Sequence, residues 1–185
     1  MPQPDVLTTP RLLLRPFTPA DLDDVWAYQR RPEVARHMSW EPRDRAQCVA
    51  ALGQMIVENA LVDEGDCVCL AVVCRDTGRL AGQVELVWRS RVSRQGEVGY
   101  LFDPAHQGRG LATEAARAML AWGFDVVGLH RIVGRCAAGN TASAALLARL
   151  GMRPEGRLRD SEFRKGEWHD QLLFAILEDE WRARS

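Results

Sequence analysis

Gln107-Gly108-Arg109-Gly110-Leu111-Ala112, running straight into Thr113-Glu114-Ala115-Ala116, is a glycine-rich turn that opens onto an alanine-rich helical pattern at 111–127. An apolar segment with strand character, 98–102, leads into it. A turn at such a junction suits a phosphate. The first N–H groups of a helix have no partner within the helix, and the helix dipole adds partial positive charge at that end. Together they form an anion site that asks little of side chains. Gly108 and Gly110 let the backbone bend and approach a ligand closely. Arg109 adds a cation at the mouth.

Two phosphate loops are excluded. A P-loop carries Lys-Ser/Thr after its last glycine, where this chain has Leu111-Ala112. The dinucleotide fingerprint needs three glycines at set spacing near the head of a βαβ unit. Here two glycines lie past the middle of the chain. The pattern that fits is Gln/Arg-x-x-Gly-x-Gly/Ala, and with it the chain resembles the GNAT superfamily of acyl-CoA-dependent N-acetyltransferases. The resemblance implies that Gln107, Gly108, Arg109, Gly110, Leu111, Ala112 and Thr113 hold the pyrophosphate of CoA, chiefly through backbone amides.

The 185 residues suffice for a single domain, 1–185, with a substantial core. A net charge of −1 supplies no basic field for nucleic acid. Pro2, Pro4 and Asp5 stand where a secretory leader would be basic and then apolar, and no apolar run reaches the roughly 18 residues of a membrane span. Cys48, Cys67, Cys69, Cys74 and Cys136 are odd in number and form no CxxC pair. They read as buried reduced thiols of a cytoplasmic protein, with neither a disulfide framework nor a metal site.

Along the chain, 8–15 predicts a strand stopped by Pro16. Thr18-Pro19-Ala20-Asp21 starts a helix, with Thr18 as N-cap and Pro19 at its first position. Residues 32–42 read as irregular and 44–61 as a second helix. The apolar run 67–74 predicts a central strand, followed by a turn at Asp76-Thr77-Gly78-Arg79 and strands at 80–88 and 96–102. After the helix at 111–127 come a strand at 130–137, a helix at 141–150 closed by Gly151, and strands near 152–163 and 168–177 joined at Lys165-Gly166. The order β-α-α-β-β-β-α-β-α-β-β is an α+β layout with a mixed sheet.

That order is also the one the GNAT fold uses, so the resemblance covers nearly the whole chain. It implies a mostly antiparallel sheet of about seven strands with about four helices on both faces. Within the superfamily the chain looks like the subfamily named for acetylation of ribosomal-protein N-termini. Thr8, Arg11, Leu12, Leu14 and Arg15, Gly96-Glu97-Val98-Gly99-Tyr100, Ala112-Thr113-Glu114-Ala115, Asn140-Thr141-Ala142-Ser143, Asp170 and Leu172-Leu173-Phe174 carry this likeness.

The implied reaction is attack of a primary amine on the thioester of acetyl-CoA. It needs a neutral amine, a polarised carbonyl and a stabilised thiolate. An amine with a pKa of about 8 is already partly neutral at pH 7, so a carboxylate or a water chain suffices as base. By resemblance the base is Glu97, on the strand before the loop. Glu97 also fits a solvated strand end, and Glu85 on the preceding strand is a second candidate. The resemblance further implies that the 98–102 strand splays from its parallel neighbour, so that an N–H around Leu101, Phe102 or Asp103 faces the thioester oxygen. Asn140 would contact the pantetheine and Ser143 the CoA sulfur, though Asn is equally a helix N-cap. Ala144, Ala145 and Leu146 offer no tyrosine on that helix, which puts weight on Ser143. Cys136 has no evident histidine partner, so direct transfer is preferred to a covalent enzyme intermediate.

Trp40, Glu85, Trp88 and Asp170 are the acceptor-side candidates, although large aromatics there also serve as core anchors. The acceptor is either a protein N-terminal amine or a small molecule such as a polyamine. A monomer or a homodimer is expected. A non-catalytic acyl-CoA-binding module is the alternative, and a regulator using the loop for another phosphate is disfavoured by the missing Lys-Ser/Thr pair.

Overall fold

The computed structural model describes Pro4 and residues 6–184; Pro2 and Asp5, which enter the reading of the N-terminus, lie outside them. In chain order the elements are β1 (Leu7–Thr8), β2 (Leu12–Pro16), α1 (Leu22–Gln29), α2 (Pro32–Ala35), α3 (Arg45–Val57), β3 (Cys67–Cys74), β4 (Leu80–Ser90), β5 (Gln95–Phe102), α4 (Leu111–Asp125), β6 (Arg131–Ala137), α5 (Thr141–Arg149), β7 (Arg153–Arg164), β8 (Glu167–Leu177) and α6 (Glu178–Arg182). The eight strands form one sheet in the order β1-β2-β3-β4-β5-β6-β8-β7. Among the described residues its one parallel pair is β5–β6.

This is the expected α+β order with three short additions. The strand foreseen at 8–15 is split. Pro10, which has no N–H to give a ladder, sits in a turn closed by Thr9 N–H to the Leu12 carbonyl at 2.9 Å, and β1 folds back on β2. Residues 32–35 form a helical turn with Pro32 at its first position. α3 stops at Val57, short of the expected 61. The Glu58 carbonyl accepts from Cys69 N–H at 2.7 Å and draws the chain alongside β3. The helix α6 carries Trp181 onto Phe124, ring centroids 5.7 Å apart.

Strand alternation sorts the core into two layers. Val68, Leu70 and Val72 face α4 and α5 along with Leu12, Leu14, Ala115 and Met119. Cys69, Ala71 and Val73 face the other way, against Val25 and Tyr28 of α1 and Leu52 and Met55 of α3. The continuous apolar run in β3 is thus a strand buried on both faces.

The tip of the β7–β8 hairpin reaches the α2 segment. The buried Arg164 donates from Nη1 to the His37 carbonyl at 2.5 Å, and Lys165 Nζ donates to the Ala35 carbonyl at 3.0 Å. A positively charged tip therefore adds hydrogen bonds to carbonyls at and just beyond the C-terminal end of α2.

Candidate active site

Between β5 and β6 the sheet comes apart. The parallel ladder runs only from Gln95↔Arg131 to Val98↔Gly134, whereas β5 continues to Phe102 and β6 to Ala137. Their outer edges stay paired, Phe102 with Gly82 and Ala137 with Gln171, so the opening is confined to the inner edges. A cleft of about 1310 Å³ occupies this gap and continues over both faces of the sheet.

The direction of the open N–H groups follows from the register. Asp103 N–H donates to the Ala81 carbonyl at 2.9 Å, on the β4 side. N–H groups alternate along a strand, so those of Tyr100 and Phe102 turn into the gap, and Leu101 and Asp103 turn away from it. The expectation that an N–H around Leu101 to Asp103 meets the ligand thus narrows to Phe102, with Tyr100 beside it. The Phe102 carbonyl is already taken, accepting from Gln107 Nε2 at 3.1 Å.

At one end of the cleft lies the glycine turn. Gly108 (φ +73°) and Gly110 (φ +77°) are left-handed, and Gly110 is the N-cap of α4. A Cβ on Gly108 would meet nothing within 4 Å, so the turn is open to an incoming group. The N–H groups of Leu111, Ala112 and Thr113 head α4 over this opening. The turn is tied down from 100 residues away in sequence. Arg11 donates from Nε to Glu114 Oε2 at 2.6 Å and from Nη1 to the Arg109 carbonyl at 2.9 Å, and Thr9 Oγ1 donates to Glu114 Oε1 at 2.6 Å. Two sequence motifs, one at the N-terminus and one in α4, are therefore halves of one clamp. A diphosphate-bearing ligand fits this cradle: left-handed glycines without side chains, unpaired helix N–H groups and a fixed backbone.

On the α4/α5 face, Asn140 caps α5 by accepting from Ser143 N–H at 3.1 Å. Ser143 Oγ lies 2.8 Å from the hydroxyl of Tyr100, whose pKa is pushed up to about 12 by burial against a smaller opposing effect of that hydrogen bond. The two hydroxyls are hydrogen-bonded to each other at the lip of the gap, and the Tyr100 hydroxyl also donates to the Ser143 carbonyl at 3.3 Å. Tyr100 appears in the sequence only as part of a motif; its partner is 43 residues away. Cys136 is buried beside them, and burial raises its thiol pKa, so it is not a poised nucleophile.

On the α1–α3 face two carboxylates are neighbours. Glu97 is engaged by Arg89 (Nε to Oε2, 2.9 Å), with Arg135 at 3.9 Å. Glu85 sits opposite Gly99 in the β4–β5 register and lies across it: a Cβ on Gly99 would fall 2.5 Å from Glu85 Oε1. Burial, with like charge from Glu58 and Glu97, raises the Glu85 pKa above the usual carboxylate range, against a smaller pull from Arg89.

Of the residues singled out in the sequence, Glu85, Glu97, Leu101, Phe102, Gln107, Gly108, Gly110, Leu111, Ala112, Thr113, Asn140, Ser143 and Trp40 line the cleft. Three do not. Trp88 lies on the opposite face from Glu85, packed on the α4 side under Arg91. Asp170 is held within the terminal hairpin by Arg157 Nε at 2.6 Å and Asp160 N–H at 2.9 Å. Arg109 is exposed and contributes its carbonyl to the clamp. Gln29, Arg43 and Gln83, which also line the cleft, carry no motif that marks them. Among the described residues no cluster of three or more His, Cys, Asp or Glu could hold a metal, and no helix is long and apolar enough to cross a membrane.

A sheet split at its one parallel pair, with a glycine-headed helix at the split, defines the class. Residues 11–153 match the family model described as acetyltransferase (GNAT) domain, and the chain belongs to that family of acetyltransferases. It is 31% identical over 175 residues to the uncharacterized N-acetyltransferase YnaD of Bacillus subtilis (strain 168), spanning 95% of this chain and 98% of that one. The [ribosomal protein uS5]-alanine N-acetyltransferase of Escherichia coli (strain K12) is 29% identical (95% and 92% covered), and its spermidine N(1)-acetyltransferase 27% (92% and 88%). The crystal structure of a GNAT-family acetyltransferase from Bacillus anthracis superposes with a TM-score of 0.82 at 26% identity, covering 94% of this chain and 99% of that one.

Proposed function

We propose that this chain transfers an acetyl group from acetyl-CoA to a primary amine by direct attack, with both substrates bound together. The observation that carries the reading is Glu85 lying across Gly99 on one face of the split sheet, with the Tyr100–Ser143 hydroxyl pair at the lip on the other. Acetyl-CoA supplies the acetyl thioester. The Gly108–Gly110 turn and the N–H groups that head α4 hold its pyrophosphate, and the gap between β5 and β6 receives its pantetheine arm. The N–H of Phe102 donates a hydrogen bond to the carbonyl oxygen, where negative charge develops.

Glu85 takes the proton that the amine loses. Burial raises its pKa, which makes it a stronger base than an ordinary carboxylate, and Glu97 is already committed to Arg89. The assignment of the base thus moves from Glu97 to Glu85. The departing sulfur receives a hydrogen bond from Ser143, backed by the Tyr100 hydroxyl. Thiol release from acetyl-CoA, followed over a panel of peptides and small amines, tests the reading. Glu85→Gln should lower kcat by about 10²–10⁴-fold, with acetyl-CoA still bound. Tight binding without turnover on any amine would establish a non-catalytic acyl-CoA module instead.

A further inference from the structure

The acceptor half of the cleft has a floor whose hydrogen-bond polarity can be worked out. Gln29 is buried to 1% exposure and belongs to no part of the mechanism above. Its Oε1 accepts from Arg43 Nη1 at 2.7 Å, and its Nε2 points at Gln83 Oε1 at 3.5 Å. Gln83 Oε1 also accepts from the Tyr28 hydroxyl at 2.9 Å. Arginine has donors and no acceptor, so Gln29 must turn its oxygen to Arg43 and its amide nitrogen to Gln83. Gln83 must then turn its own oxygen inward, which leaves its amide N–H groups on the other side. On that side lies the weak acceptor Cys69 Sγ, 3.8 Å from Gln83 Nε2. Arg43, stacked 4.4 Å over Trp40, uses one of its five N–H groups on Gln29.

The acceptors of this network are therefore consumed within it, and what it offers the cleft is donors. The carboxylates of the cleft point the same way. Glu33 has Arg31 at 3.7 Å, Glu97 has Arg89 at 2.9 Å and Glu162 has Arg164 at 3.8 Å. Glu85, on the same strand and face as Gln83, is the cleft carboxylate without an ion pair among the described residues.

We infer that Gln83 and Arg43 bind a carbonyl or carboxylate oxygen of the acceptor while Glu85 receives its amine, so that the acceptor class is an α-amino carbonyl compound and not a polyamine. This deepens the acetyl-transfer reading and rests on it. A protonated polyamine brings several N–H donors and no oxygen, and would set donor against donor on this floor. An amino-acid amide or a peptide N-terminus carries its carbonyl one carbon from the amine and matches a base and a donor two residues apart on one strand.

The test is calorimetric binding of alaninamide, isopropylamine and spermidine to the CoA-saturated protein, with affinities counted per neutral amine, and with kcat/KM measured alongside. Alaninamide should bind about 10–100-fold more tightly than isopropylamine or spermidine. Gln83→Glu keeps acceptors for Tyr28 and Gln29 while replacing the amide N–H groups by a carboxylate oxygen. It should cut the alaninamide to isopropylamine ratio at least about tenfold, and Arg43→Met should lower it in the same direction. An unchanged KM for acetyl-CoA reports an intact fold. Equal affinities in the unsubstituted protein, or an unchanged ratio in Gln83→Glu, would overturn the inference. A preserved ratio without turnover would overturn acetyl transfer and leave the donor-lined floor standing.

Discussion

Gly99→Ala tests the base through its neighbour. The new Cβ would lie 2.5 Å from Glu85 Oε1, 2.9 Å from Cγ and 3.0 Å from Cδ. Ordinary contact begins near 3.4 Å, so the carboxylate must retreat by about 0.9 Å. The Gly99 backbone is not in the left-handed region, and alanine suits a strand better than glycine does. The variant should therefore fold. A displacement of about 1 Å at a group that must meet the reacting atom costs on the order of 10²-fold. Steady-state thiol release should show kcat reduced by about that factor, with the KM for acetyl-CoA changed less than about twofold. Gly156→Ala, where a Cβ meets nothing within 4 Å, controls for a general effect of replacing a strand glycine. If Gly99→Ala keeps kcat within about threefold of the parent, Glu85 is not the proton acceptor.

Glu85→Gln should be more heat-stable than the parent at neutral pH even as it loses activity. The folded-state pKa lies above the unfolded one, so the native protein binds this proton more tightly. Stability from the site is full below the unfolded carboxylate pKa and is lost as pH rises through the folded value. A gap in melting temperature that fails to close on acidification would contradict the burial cause. Gly110→Asp puts a carboxylate on a left-handed residue at the head of α4 and should weaken acetyl-CoA binding at least about a hundredfold, read by titration calorimetry; retained affinity would remove the turn as the pyrophosphate cradle. Gly53 is exposed in the middle of α3, and a Cβ there meets nothing within 4 Å. Gly53→Ala should therefore add about 1 kcal/mol and raise Tm by roughly 2–4 °C, and a fall in Tm would show an unseen contact.

The parts of the fold legible in the sequence were those with a strong local cause. β3 coincides with its apolar run because a strand buried on both faces needs no alternation. The glycine turn was legible because left-handed backbone calls for glycine at Gly108 and Gly110. β1 was not, since two residues carry no period, and it exists through its pairing with Leu13 and Leu14. Glu85 and Glu97 share a face and a composition, so strand reading alone could not rank them. What separates them is Arg89, eight residues from Glu97 and brought to it by the β4–β5 hairpin. Trp88 was misassigned by one step of alternation. Gln29 and Gln83 meet 54 residues apart, and no local pattern announces an amide pair.

The incomplete β5–β6 ladder also divides the sheet mechanically. Five strands form one leaf and three form the other, sewn together along a spine of four residue pairs at Gln95–Val98 and Arg131–Gly134. The mouth lies at the unsewn end. Each leaf carries its own ladder right up to that mouth, and the Tyr100–Ser143 hydrogen bond at 2.8 Å ties the two leaves there through side chains where the backbone does not.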